Sequence, residues 1–261
     1  TLLKENQEQA FHPIYRYAVI SDSEEGLILV DIDTLADGEF RNNFFKRAIT
    51  WNPDGVLAGA RHVTLAGSIA YVTTRSGLAV VDLTDPLKPK LATVVPMNDA
   101  RASALQFRYL WVTDAEGLKL FDVTDLRSPV AVPSGFVPLA DARRIYLART
   151  YAYVAAKQEG LAIINITRPR SPSVYLKETF GGRLNDAEDV IVATTNASLF
   201  AYVADGRNGL KVLQLTSPDS QPNFYGFSPA PKPELIAWMR TPSPALSLSK
   251  GLDRDRGVDE T

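Results

Sequence analysis

Gly77-Leu78-Ala79-Val80-Val81-Asp82-Leu83-Thr84-Asp85-Pro86 is one of five near copies spread along the chain. The others are Gly26-Leu27-Ile28-Leu29-Val30-Asp31-Ile32, Gly117-Leu118-Lys119-Leu120-Phe121-Asp122-Val123-Thr124-Asp125, Gly160-Leu161-Ala162-Ile163-Ile164-Asn165-Ile166-Thr167 and Gly209-Leu210-Lys211-Val212-Leu213-Gln214-Leu215-Thr216. Their glycines lie 51, 40, 43 and 49 residues apart, a period that belongs to repeat architectures and leaves room for four short strands per unit. Each copy is rich in Val, Ile, Leu and Phe in period two and has no helical spacing, so each reads as a strand with both faces largely buried.

Working outward, every copy is preceded by a second strand: Ala18-Val19-Ile20-Ser21, Ala70-Tyr71-Val72-Thr73, Leu110-Trp111-Val112-Thr113, Ala152-Tyr153-Val154-Ala155 and Ala201-Tyr202-Val203-Ala204. The two form a hairpin whose loop glycine supplies the positive φ of a tight turn. A third segment, starting at Ala60, Ala100, Ala142 and Ala187, is the first strand of each unit. Pro-rich corners such as Asp85-Pro86-Leu87-Lys88-Pro89 lead to a short outer strand, where proline is tolerated. Four strands repeated radially make an all-β propeller. The first unit enters at its second strand, and Ala245-Leu246-Ser247-Leu248 near the end resembles a first strand without a hairpin. The reading is five four-stranded blades with residues 244 to 250 closing the first; the alternative is part of a six- or seven-bladed propeller. Residues 1–251 then form one domain, interrupted at about 35–57 and 217–232 and followed by a charged tail, 252–261.

The 261 residues, 45% hydrophobic, suffice for one large core. With 28 basic and 30 acidic residues the net charge is −2, so no global field recruits nucleic acid. No apolar run is long enough to span a bilayer as a helix, and the first ten residues hold no signal-peptide core. The chain begins without Met, which suggests a processed or partial chain. It has no cysteine, hence no disulfide or thiolate metal site.

The pattern Gly-Leu-x-Val-x-Asp-Leu-Thr-Asp-Pro with its preceding aromatic-Val strand resembles the LVIVD-repeat family over residues 14 to 251. The resemblance implies a β-propeller in a secreted or cell-surface protein of bacteria or archaea, in some cases associated with multihaem cytochromes, and brings no catalytic residues and no cofactor. Asn165 and Gln214 replace the strand Asp, and Arg168 and Ser217 replace the corner carboxylate, which argues against a divalent ion at every corner.

The first strands of a propeller line its channel. Arg61, Arg101, Arg143 and Glu188 open these strands at equivalent positions, His62 follows Arg61, and Asp99, Asp141 and Asp186 precede the last three by two residues. They make a candidate binding ring at the channel mouth for an anionic or mixed-charge ligand; the plainer reading is Arg–Asp pairs joining neighbouring blades. Phe44, Phe45 and Trp51 lie outside the repeat and are candidates either for a cap or for a protein contact. Asp253 to Asp259 is only faintly like a calcium loop and lacks the bidentate Glu. Gly181-Gly182-Arg183 opens no helix, which argues against a main-chain phosphate cradle. The two histidines, His12 and His62, lie in no metal-binding spacing, and no Gly-x-Ser-x-Gly is present. The expected function is a non-enzymatic interaction or scaffolding module with a protein partner. The competing readings are a metal-dependent hydrolase or lyase at the channel mouth and an accessory subunit of an electron-transfer complex.

Overall fold

The computed structural model describes residues 13–35, 38–195, 198–219 and 228–249. His12, the middle of the second interruption and the charged tail lie outside them. The described residues hold five antiparallel sheets and no α-helix.

The first sheet has order β1-β2-β3, with β1 (Tyr17–Asp22), β2 (Gly26–Asp31) and β3 (Lys46–Trp51). The second runs β4 (His62–Ala66), β5 (Ile69–Thr74), β6 (Gly77–Asp82), β7 (Lys90–Pro96). The third contains β8 (Ala102–Gln106), β9 (Tyr109–Thr113) and β10 (Gly117–Asp122), with β11 (Val130–Ala131) and β12 (Val137–Pro138) both pairing β10. The fourth is β13 (Ile145–Ala148), β14 (Tyr151–Ala155), β15 (Leu161–Asn165), β16 (Ser173–Glu178), and the fifth β17 (Asp189–Thr195), β18 (Ser198–Ala204), β19 (Leu210–Thr216), β20 (Glu234–Met239). In every sheet the Gly-Leu copy pairs with the strand before it, as expected.

Two departures from the expected pattern have physical reasons. The first interruption, 35–57, contributes β3, whose Trp51 and Ile49 pack on the core beside Leu27, Leu29 and Leu57, so the added segment is shorter than the sequence suggests. The outer segment of the third blade is split into β11 and β12 because Pro133-Ser134-Gly135 turns between them, and proline cannot extend a ladder.

The chain divides into two compact units, Thr1–Ala100 with Val123–Val130, and Arg101–Asp122 with Ala131–Thr261. In the first, Leu27 and Leu29 of β2 pack with Ala70, Val72, Ala79 and Val81 of the second sheet. In the second, Trp111, Leu118 and Leu120 pack with Ala152, Val154 and Ile164, and the other face of the fourth sheet, through Tyr153, Leu161 and Ile163, packs with Val190, Ala201 and Leu213. The fourth sheet is thus apolar on both faces, which accounts for strands that read as continuous hydrophobic runs. Tyr71, Trp111 and Tyr153, which recur at one position of the second strand, are fully buried, and Tyr202 at the same position is half-buried.

Near the C-terminus, Ala245 bridges Gly206 of the fifth hairpin loop as Ala187 bridges Lys157 of the fourth. The segment expected to close the first blade therefore starts where a first strand would start. Residues 246–249 form no strand, and Leu248 donates its N–H to Asp189 Oδ2 at 2.8 Å.

Candidate functional site

The residues that open the innermost strands are placed by one repeated backbone bond. Arg61, Arg101, Arg143 and Glu188 each donate an N–H to the carbonyl of Thr73, Thr113, Ala155 or Ala204, the last residue or next to last of the neighbouring strand, at 2.8 to 2.9 Å. Equivalent backbone gives equivalent side-chain origins, so charge at this position lies at the same end of each sheet.

In the first unit Arg61 pairs with Asp99 at 2.8 Å. Asp99 has a positive φ of 61° and donates its N–H to the carbonyl of Arg75. His62 is half-buried on β4, opposite Thr73.

In the second unit the predicted residues join a continuous chain of charges. Arg101, with a side chain 13% exposed, donates to Asp141 and to the carbonyl of Ala142. Asp141 accepts from Arg143 at 3.0 Å through its other oxygen, and Arg143 reaches Glu188 at 3.9 Å. Lys157 pairs with both Glu188 and Asp186. Asp186 also accepts the Arg207 backbone N–H at 3.0 Å and its Nε at 3.3 Å. Burial pulls the Lys157 ammonium down, but the hydrogen bonds and charges of Asp186 and Glu188 outweigh it and leave its pKa raised. Burial likewise pushes Asp186 up, and the Arg207 N–H with Lys157 reverses this, leaving it lowered.

Lys157 and Arg207 lie in the hairpin loops, where the glycine alone carries the repeat. The signal was present: they stand three residues before Gly160 and two before Gly209, Lys157 meeting the acids that open the next blade and Arg207 the acid that opens its own. With Asp141, Asp186, Glu159 and Asn185 they line a cavity of about 440 Å³. Glu159 is itself held by Lys177 and by the Ala140 N–H. Asp99, Asp141, Asp186 and Glu188 thus all carry cation partners, whereas the metal-hydrolase alternative needs acids converging without them. Among the described residues no group of three or more His, Cys, Asp or Glu is arranged to hold a metal ion.

The non-repeat aromatics divide. Trp51 belongs to β3 and packs on the core, while Phe44 and Phe45 are 59% and 65% exposed, as is Phe40 at 88%. Thr34 holds this segment by donating to the Phe44 carbonyl at 3.0 Å.

At the opposite end of the Gly-Leu strand the conserved geometry explains the carboxylate. Asp82 Oδ1 accepts the Thr84 N–H at 2.8 Å, Asp31 Oδ1 that of Asp33 at 3.0 Å, and Asn165 Oδ1 that of Thr167 at 2.9 Å. The residue turns the chain out of the strand, and an amide oxygen serves as well as a carboxylate. Where the charge is kept it is used: Asp82 holds Arg127 at 2.8 Å, and Asp122 holds Arg170 at 3.1 Å.

The model of the LVIVD repeat matches residues 59–95, 140–178 and 186–227. The chain carries LVIVD repeats. The three matched LVIVD stretches fall on the second sheet, the fourth sheet and the first three strands of the fifth. No curated protein matches the chain. Among solved structures, a protein from Lactobacillus plantarum superposes with a TM-score of 0.61 at 15% identity, over 86% of this chain and 67% of that one. The β-propeller domain of Cps50 (Swd1) from Myceliophteria thermophila gives 0.57 at 14%, over 87% and 69%. The extracellular domain of BT4673 from B. thetaiotaomicron gives 0.54 at 14%, over 86% of this chain but only 28% of that one. At these identities the likeness shows the fold: the LVIVD repeats build a β-propeller, and the five sheets fit five blades.

Proposed function

We infer that this chain is a non-enzymatic propeller domain, continuous through residue 251, that serves as a protein-interaction or scaffolding module of a secreted or surface protein. The observation that carries the reading is the exposure of Phe40, Phe44 and Phe45, three large rings close together in sequence in a segment outside the repeat. A run of exposed large apolar side chains in one surface segment favours a contact for another macromolecule, and aromatic anchors dominate such contacts. The secreted or surface location rests on the LVIVD repeats. The mouth residues Arg61, Asp99, Arg101, Asp141, Arg143, Asp186 and Glu188 serve first to hold strands together, since each spends its charge on a neighbour.

The test is affinity capture with the wild-type chain and with a Phe40→Ser/Phe44→Ser/Phe45→Ser variant, followed by a binding titration of the captured protein. The expected result is a partner whose affinity falls at least tenfold in the variant at unchanged melting temperature, about 1.4 kcal/mol. A partner that binds both forms equally moves the contact elsewhere.

A further inference from the structure

The third and fifth blades each place a lysine third in the Gly-Leu copy, Lys119 and Lys211, and the two differ in their counter-ions. Lys119 Nζ lies 2.6 Å from Asp114 and 2.6 Å from Glu116. The fifth blade keeps the first acid: Asp205, fully buried like Asp114, makes the same N–H bond to its loop glycine carbonyl. It lies farther off, at 3.7 Å from Lys211 Nζ. Its Oδ1 is taken by the amides of Asn185 and Asp186 at 3.2 and 2.7 Å. The second acid is gone, because Asn208 stands where Glu116 stands, and Lys211 donates instead to the Asn208 carbonyl at 3.1 Å. Yet Lys211 is the more buried lysine, its side chain 8% exposed against 26%. A buried ammonium needs more compensation, not less.

Lys211 lines a cavity of about 260 Å³ with Arg183, Arg240, Asn208, Leu235 and Trp238, a wall without a carboxylate. Trp238 is the direct cross-strand partner of Lys211, which puts the two side chains on one face of the sheet, and it remains 63% exposed. Arg183 is steadied by its Nε bond to the Phe180 carbonyl at 3.0 Å. Three cations against the one carboxylate of Asp205 leave two positive charges, the complement of a phosphate dianion, and the indole offers a face for a ring.

We propose that this cavity binds a phosphate monoester carried on a flat ring, the phosphate between Lys211, Arg183 and Arg240 and the ring on Trp238. The cavity lies below the size of pockets for drug-sized ligands, which suits one phosphate and one ring. Side chains hold the phosphate, in keeping with a Gly181-Gly182-Arg183 loop that opens no helix.

Calorimetric titration with phenyl phosphate, inorganic phosphate and phenol tests this, because each probe carries one part of the ligand. The expected order is phenyl phosphate tightest, inorganic phosphate weaker, phenol not bound, with affinity falling as salt rises. Arg240→Ala, an exposed and structurally mild change, should weaken phenyl phosphate at least tenfold. Asn208→Glu rebuilds the counter-ion that Lys119 has; it should abolish phosphate binding while the melting temperature holds or rises. Trp238→Ala should remove only the advantage of phenyl phosphate over inorganic phosphate. Absence of binding by either phosphate to the wild type up to about 10 mM, or binding undiminished in Asn208→Glu, overturns the site. Equal binding of the two phosphates by the wild type overturns the role of the ring.

Discussion

Arg101 and Arg143, equivalent residues of the third and fourth blades, share one carboxylate: Asp141 gives Oδ1 to the first and Oδ2 to the second. A shared acid couples the entries of two adjacent innermost strands, and the Arg101 bond to the Ala142 carbonyl extends the coupling to the backbone.

Arg101→Ala should therefore destabilise the protein by about 1 to 3 kcal/mol, since it strips one donor from a carboxylate and one from a main-chain oxygen in a largely covered site. Arg61→Ala, whose pair with Asp99 is about a third exposed on each side, should cost less than about 1 kcal/mol. Urea unfolding of both variants decides it; equal losses would show that burial does not grade these pairs. In a double-mutant cycle, Arg101 and Asp141 should couple.

The Lys157–Asp186 pair predicts a limit at each end of the pH range. Asp186 is lowered in the fold, so its contribution is present above the ordinary carboxylate range and is lost as pH falls through its folded value. Lys157 is raised, so its contribution is present below the ordinary lysine range and is lost as pH rises through its folded value. Asp186→Asn should flatten the acid limb of a melting-temperature profile, and Lys157→Met the alkaline limb; each also weakens the other limb in part, because Glu188 alone then holds Lys157 and Arg207 alone holds Asp186.

Gly67 and Gly77 bracket β5 and separate two costs of adding a methyl group. At Gly67, with φ of 59° and open space around it, Gly67→Ala should cost only the left-handed backbone term, about 1 to 2 kcal/mol. At Gly77 the new Cβ would sit 2.2 Å from the Val95 carbonyl oxygen, so Gly77→Ala must displace β7 as well. It should lose more stability than Gly67→Ala, with reduced protection from amide exchange along Lys90–Pro96.

The propeller was legible because the Gly-Leu strand and the aromatic strand before it must be apolar on alternate or both faces in every blade, and that demand writes a period into the sequence. Lys46-Arg47-Ala48-Ile49-Thr50-Trp51 was not legible as an outer strand, since an outer strand needs only one half-buried edge and so keeps little pattern. The mouth acids and arginines were legible as a set, and the choice between ligand ring and mutual pairing was not. That choice depends on distances between residues some 40 positions apart, such as Arg101 and Asp141. Lys157 enters through a loop residue at φ 48°, a geometry no spacing encodes. The exchange of Glu116 for Asn208 was visible in the aligned copies, but it acquires meaning only once Asp205 is seen to stand off from Lys211.

Tyr71 offers a probe of the first unit independent of any ligand. It is fully buried, and its hydroxyl donates to the Leu126 carbonyl at 2.9 Å. Burial, helped by the charge of Asp125, pushes its pKa up to about 12. Because the folded state resists ionisation, the unfolded chain loses this proton first. Stability should then fall as pH rises past the ordinary tyrosine value of about 10. Tyr71→Phe removes both the bond and the titration: it should cost about 0.5 to 1.5 kcal/mol at neutral pH, leave the Leu126 carbonyl short of a donor, and shrink the loss of stability between about pH 10 and 12. Ultraviolet titration of the folded protein should show the corresponding late phenolate step disappear. If the variant keeps the full alkaline loss, that loss belongs to other groups, of which Tyr153, also raised by burial, is the first to test.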